Sequence, residues 1–480
     1  MSAAFSRIYT DRVLQPSYQN WKRRYYADSI DVHRAHLVML VERGIVTAEI
    51  AARIKSAMAE IDRAAPFPDR IPEGVEDLYF AYERELERIA GAENAAFLHT
   101  ARSRNDMDTT VFRRVLKREL RGVCGLLASL GRAILERARA GEAELTLLYT
   151  HGQPANVSTM AHYLGAFLLD LLEGTEALIA AMESTDQCSL GACAITGTGF
   201  AIDRERTSRL LGFRSPVPNT YQAISTSHWL ARPAQALELI LTDIGRLAAD
   251  MLHKASCEVG LLIFPDDLVQ TSSIMPQKRN PVILEHIRIQ AGIASGSCSS
   301  AAHIFKNVPY QDVNEVADAP VSEFIAALDT ARSCVELLEE AVKKVSSDSA
   351  RAREIALGFG VTTTELADSM VRDCGIGFRS AHRVCTAFVR SGYDKTALRG
   401  AFREIADKDL PYSDEDIDEA LRPESFIEAR KTAGGPAPEG MASVYATAGA
   451  ALARIDAALS RLDERGRAAE AELDAAWAAV

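Results

Sequence analysis

Two apolar seams constrain this chain more than any other feature. Leu116, Leu120, Val123, Leu127, Leu130 and Ile134 step by fours and threes, and Leu237, Ile240, Ile244, Leu247 and Met251 by threes and fours. That spacing keeps one stripe on a single helix face over several turns. Such a stripe is stable only when buried against other long helices, in a bundle or a coiled-coil-like core. Helical periodicity runs through nearly the whole sequence, strand signals are few and short, and the expected fold class is all-α.

The interruptions divide the chain. Pro66-Phe67-Pro68 and "RIPEGVED" break an amino-terminal helical region, while "THGQPANVS" and the Gly-, Ser- and Thr-rich run from Thr185 to Thr220 break the centre. At 480 residues two or three domains are the natural expectation. The reading is three helical domains: an amino-terminal one over 1–105, a central long-helix bundle over 106–357 containing an irregular loop at 265–285, and a carboxy-terminal one over 358–480. A final Ala-, Leu-, Arg- and Glu-rich helix carries the mixed-charge face of a surface or subunit-packing helix.

A net charge of -12 gives no electrostatic reason to bind nucleic acid or an anionic membrane, so any positive charge used on an anionic ligand must be local. The eight cysteines are scattered without a C-x-x-C pair, which fits buried free thiols in a reducing compartment. The first residues lack the apolar core of a signal peptide, and no apolar run approaches the ~18 residues needed to cross a bilayer. A cytoplasmic protein is therefore expected.

Polar residues gather in three segments. "LHTARSRND" (Leu98–Asp106) places Arg102, Ser103, Arg104 and Asn105 just before a helix start, where free N–H groups and guanidinium forks suit a dicarboxylate; a capped helix with solvated arginines is the plainer reading. "YTHGQPANVS" (Tyr149–Ser158) sets Thr150 and His151 before a Gly152-Gln153-Pro154 turn, and an imidazole with an ordinary pKa of about 6.5 suits proton transfer. "TSSIMPQKRNP" (Thr271–Pro281) has no helical or strand period. It offers the hydroxyls of Ser272 and Ser273, the point charge of Lys278 and the amide of Asn280, either as a linker or as a loop that closes over a substrate. Glu285, soon after it, is the carboxylate available to orient a histidine. His33 and His36 read as one face of a helix rather than half of a metal site.

Together these segments resemble the fumarase/aspartase superfamily, whose signature "SSxMPxKxN" is matched by "SSIMPQKRN". Within it the chain is most similar to argininosuccinate lyases, through "HTARSRND", "TGTGFAIDRE", "TTTELADSMVRDCGIGFRSAH" and "RKTAGGPAPE" in the same order. The resemblance implies a homotetramer whose long helices form a central twenty-helix core, with four active sites each built from three subunits. It also implies cleavage of a C–N or C–O bond beta to a carboxylate, release of fumarate, and no metal or organic cofactor. On this reading the loop at 265–285 is catalytic and Ser272 is the base. Lys278 and Asn280 hold the carboxylate that becomes dianionic. Ser103, Arg104, Asn105, Thr150 and Ser273 grip the succinyl moiety, and His151, paired with Glu285, serves the leaving nitrogen. The implied partners are a small dicarboxylate substrate, fumarate, and further copies of the chain.

Three segments depart from the argininosuccinate lyase pattern. "THGQPANV" stands where those enzymes have "THLQRAQP", "TYQAISTSHW" replaces "SMDAVSDRDF", and "YQDVNEVADAP" (Tyr310–Pro320) replaces "YNKDxQEDKE" with loss of both lysines. The succinyl grip is kept and the amine pocket is altered. The expected reaction is therefore release of fumarate from an N-substituted aspartate other than argininosuccinate, an aminopolycarboxylate such as ethylenediamine-N,N'-disuccinate being one candidate. Argininosuccinate lyase activity and a catalytically silent crystallin-like role are the alternatives.

Overall fold

The computed structural model describes residues 5–316 and 318–480. The first seam lies buried along a 37-residue helix, Arg104–Ala140, and the second along His228–Lys254. With Met160–Met182, Val282–His303 and Asp318–Lys344 these helices close a ring of five, each packed on the next and the last returning to the first. Successive members run in opposite directions, because each connection returns the chain to the end it has just left. Arg113 near the start of Arg104–Ala140 donates to the Ser184 carbonyl (2.8 Å), just past the end of Met160–Met182. Arg137 near its other end donates to the Val345 carbonyl (2.8 Å), just past the end of Asp318–Lys344.

The bundle consequently has two chemically distinct ends. At one lie Ser103 and the connections 183–227 and 304–316; at the other lie residues 141–159 and 255–281. At a rise of about 1.5 Å per residue, Arg104–Ala140 alone separates them by about 55 Å.

Helices Tyr26–Glu42, Ala48–Ala64 and Leu78–Ala90 pack beside the Ser103 end and share one apolar core with the bundle. Residues Thr363–Cys374, Phe378–Arg390 and Lys395–Ala406 form a separate cluster around Met370, Phe388 and Phe402. The 42-residue helix Pro438–Ala479 leaves that cluster and packs on Met160–Met182 and Arg104–Ala140. We propose the three-part division with this last helix assigned by its packing to the bundle. Among the described residues the strands form only two-stranded pairings, and no helix is long and apolar enough to cross a membrane. All eight cysteines are unpaired and six are buried.

Candidate active site

The segment Leu98–Asp106 is fixed from beneath. Asp106 accepts from the Ser103 N–H (2.9 Å) while the Ser103 hydroxyl accepts from Asn105 N–H (3.4 Å), a capping box that starts the long helix. The other Asp106 oxygen accepts from the N–H groups of Gly191 (2.7 Å) and Cys193 (2.8 Å), tying the 183–227 connection to the same point. Burial pushes this carboxyl upward, and those three N–H donors oppose the shift.

One sequence expectation needs correction here. Arg102 does not stand beside Arg104 as a second carboxylate fork. It turns inward, fully enclosed, with Nη1 2.9 Å from His33 Nδ1. His33 and His36 do lie on one helix, Tyr26–Glu42, and both are buried: His33 stacks on Tyr82 at 5.1 Å, and His36 Nε2 lies 2.9 Å from the Thr100 carbonyl. Burial, and then the Arg102 charge, hold His33 well below the usual histidine range and His36 down to about 3. The pair is therefore neutral near pH 7, with His33 Nδ1 accepting from Arg102 and His36 donating to Thr100. A sequence reading sees only the spacing of three; the neighbouring aromatic Tyr82 arrives from another helix.

Ser103, Arg104 and Asn105 line a cavity of about 880 Å³ together with residues of Leu78–Ala90 and the 304–316 connection. The groups expected to hold substrate carboxylates are paired with the protein's own carboxylates. Arg104 pairs with Asp77 and lies 3.6 Å from Asp108 and 3.7 Å from Glu76, its guanidinium over the rings of Phe80 and Tyr79. Asn105 Nδ2 donates to Asp312 at 2.6 Å. Sequence reading missed Asp312 and Glu315 as lining residues: "YQDVNEVADAP" was weighed for the lysines it lacks, whereas the carboxylates it contributes were the available signal.

The other two segments sit at the opposite end. Leu145–Thr150 and Gln153–Thr159 form an antiparallel hairpin, closed by His151 and Gly152 with φ of 52° and 77°. Positive φ at both central positions is a type I′ turn, favoured by glycine and costly for most other residues, so His151 is presented at an exposed tip against its intrinsic preference. Thr150 is exposed beside it. Lys254, buried at the end of its helix, donates to the Leu147 carbonyl (2.6 Å) and anchors the hairpin to the bundle.

Thr271–Pro281 is a loop pinched at its base, where Gln270–Thr271 pairs with Arg279–Asn280. Ser272 Oγ accepts from the backbone N–H groups of Ile274 (3.2 Å) and Met275 (3.0 Å). Ser273 and Lys278 are exposed, Asn280 is half-buried, and Ile274 at 85% exposure projects from the tip. Among the described residues Lys278 has no ion-pair partner within the chain. Glu285 is exposed in the first turn of Val282–His303 and makes no ion pair with His151 within one chain. Nor does any hydrogen bond join Ser103–Asn105, Thr150–His151 and Ser272–Asn280 among the described residues of one chain. No group of three His, Cys, Asp or Glu among those residues is placed to hold a metal ion.

A ring of long helices with a serine-bearing loop at one end and an arginine-bearing helix start at the other belongs to a chain that two lyase family models match: the one described as "Lyase" matches residues 8–296, and that described as "Argininosuccinate lyase C-terminal" matches 360–428. The chain belongs to the fumarase/aspartase superfamily, as an argininosuccinate lyase-like carbon–nitrogen lyase. It is 36% identical to argininosuccinate lyase 2 of Agrobacterium fabrum over 97% of this chain and 94% of that protein, and 33% identical to the argininosuccinate lyase of Methanosarcina barkeri over 86% and 84%. Among solved structures it is similar to an EDDS lyase in complex with formate, with a TM-score of 0.86 and 27% identity over 95% of this chain and 92% of that one. The class II fumarase of Schistosoma mansoni, at 15% identity, shares the fold with a TM-score of 0.70 over 86% and 92%.

Proposed function

We propose that the chain releases fumarate from an N-substituted L-aspartate other than argininosuccinate, in sites assembled between subunits of a homotetramer. The observation that carries the chemistry is the pair of N–H donors on Ser272 Oγ. A serine is far too weak an acid to serve as a base unless its alkoxide is stabilised, and two amide dipoles, together with the Lys278 ammonium of the same loop, supply that stabilisation. The Ser272 alkoxide removes the proton from the carbon beside the substrate's distal carboxylate. The electron pair moves into that carboxylate, whose dianionic form Lys278 and Asn280 balance, and returns as the C–N bond breaks. His151, with Glu285 from a neighbouring chain, delivers the proton that the leaving amine takes. Ser103, Arg104, Asn105, Thr150 and Ser273 hold the succinyl group.

Shared sites are supported by the length of the bundle, since about 55 Å of helix separates the dicarboxylate corner from His151 in one chain. Exposed Ile289 and Ile293 on Val282–His303, with Leu239 on His228–Lys254, give that bundle an apolar outer face suited to packing on further copies. Similarity to EDDS lyase supports N-alkylated aspartates as the substrate class. The named relatives favour argininosuccinate as a second reading, but among the described residues the 304–316 connection brings Asp312 and Glu315 to the cavity and no lysine to meet the carboxylate of an arginine head. Fumarate appearance by ultraviolet absorbance over a panel of N-substituted aspartates tests the proposal; no fumarate from any of them would sink it and favour a silent structural role.

A further inference from the structure

The hairpin that carries Thr150 and His151 is tied down at its base by Leu145, whose N–H donates to Ser349 Oγ (3.0 Å) and whose carbonyl accepts from Ser347 Oγ (2.5 Å). Beyond that point, among the described residues, a single hydrogen bond reaches 146–157 from outside the hairpin, that of Lys254 Nζ to the Leu147 carbonyl. The hairpin needs such a hold. Its ladder slips between Leu148 and Tyr149, leaving Ala155 unopposed, and Tyr149 then faces Pro154, which has no N–H to give. The tip beyond closes on His151 at a φ of 52°. The Lys254 ammonium, with its side chain 2% exposed, is seated between two rings, 5.1 Å from the centre of Tyr149 and 5.0 Å from that of Tyr163. Its nearest carboxylate, Asp250, stands off at 3.9 Å and is taken up by the Tyr163 hydroxyl (2.7 Å). His253, next in the chain, meets the Tyr149 ring edge-on at 5.2 Å. Satisfying one carbonyl does not call for a buried cation, since a neutral donor does so without dehydrating a charge. What the seated ammonium adds is a simultaneous grip on Leu147 and on the Tyr149 ring, the residues on either side of Leu148 where the ladder slips. Resting on the lyase reading above, we propose that Lys254 is the positioning residue of the proton-transfer turn: it fixes the slip in the ladder, and with it the direction in which Thr150 and His151 leave the bundle.

Lys254→Met, close in volume and without the donor, tests it in the full chain, by hydrogen exchange read by mass spectrometry and by fumarate release from the best N-substituted aspartate of the parent. Exchange should quicken over the hairpin residues 145–159 alone, with the bundle helices as protected as in the parent. In the same preparation kcat should fall by roughly ten-fold or more, since a misplacement of about 1 Å costs up to about 10²-fold. KM should rise by less, because Ser103, Arg104, Asn105 and Ser273 sit on other segments. Tyr149→Leu, which removes one face of the seat, should give the same pattern more weakly, and it carries the test where Lys254→Met fails to fold. Unchanged hairpin exchange, or a kcat within about two-fold of the parent, overturns the inference and leaves the lyase reading intact. Protection lost equally from hairpin and bundle also overturns it, by making Lys254 a core residue and nothing more. A parent chain that releases no fumarate overturns the lyase reading, and hydrogen exchange alone then decides whether Lys254 sets the turn.

Discussion

Chains carrying Arg104→Gln and chains carrying His151→Asn should each be inactive alone and regain activity on mixing. The structure sets the size of the recovery. Arg104 opens a 37-residue helix and His151 lies beyond its other end. At about 1.5 Å per residue the two are held about 55 Å apart, far more than a succinyl group spans, so no site draws both from one chain. A two-fold axis across the bundle brings opposite ends of neighbouring chains together. In a randomly exchanged equal mixture each site finds an intact Arg104 donor half the time and an intact His151 donor half the time, independently. About one quarter of the parental activity per chain should return under that closed symmetric assembly. The assay is fumarate release after dissociation and reassembly, with native mass spectrometry proving that hybrids have formed. Hybrids without activity would refute the shared-site argument, because they would mean that one chain supplies both groups. The same experiment with His151→Asn and Ser272→Ala separates two-chain from three-chain sites, since these residues share an end of the bundle without touching.

Ser272→Ala should lower kcat and kcat/KM together by on the order of 10²-fold or more, because its role exists only in the transition state, whereas Ser273→Ala should mainly raise KM; equal, mild effects in steady-state kinetics would show a loop that only binds. Argininosuccinate should be slower in kcat/KM than the best N-substituted aspartate of the panel by at least about 10²-fold, the cost of an unpaired carboxylate in a closed site, and efficient cleavage would overturn the substrate choice while leaving the fold intact. Asp108 is pushed up to about 8, first by burial and then by Asp77, Asp106 and Asp318, with Arg104 opposing. Between its ordinary value near 3.8 and 8 the folded chain keeps this proton and the unfolded chain does not, so its contribution to stability is lost as pH rises through that window. Asp108→Asn should therefore gain stability over the parent, by up to a few kcal/mol near pH 8 and much less near pH 4, in urea unfolding followed at both; a pH-independent difference would show that Asp108 ionises freely.

The helical class was legible because the seams are long: Leu116 to Ile134 repeats its spacing often enough that no other period fits, and the structure buries every member. The loop residues were legible by type. Ser272 was named for its hydroxyl, yet its two N–H donors depend on a tight turn that only the backbone reveals. Arg102 and Arg104 are two residues apart and chemically alike, and which turns inward is decided by His33 and Tyr82 from elsewhere in the chain. The anionic lining was hidden for the same reason. Glu76, Asp108 and Asp312 are far apart in sequence and meet only because a helix start, a neighbouring helix and a connection converge.

The 304–316 connection contributes almost nothing to the apolar core of the bundle, with only Phe305 among its described residues packed against it. The residues proposed to meet the amine half of a substrate therefore lie where substitutions cost little, commonly within about 0.5 kcal/mol for surface positions away from packing. Within the same chain the Ser272 loop lies at the far end of the bundle, so such substitutions leave its own turn and its two N–H donors untouched. A lineage with this scaffold is free to trade one amine for another by drift in a dozen surface residues, with neither the fold nor the elimination chemistry exposed to selection against the change. Tolerance of that kind gives a reason why chains of one architecture diverge in what they cleave while keeping the same serine loop.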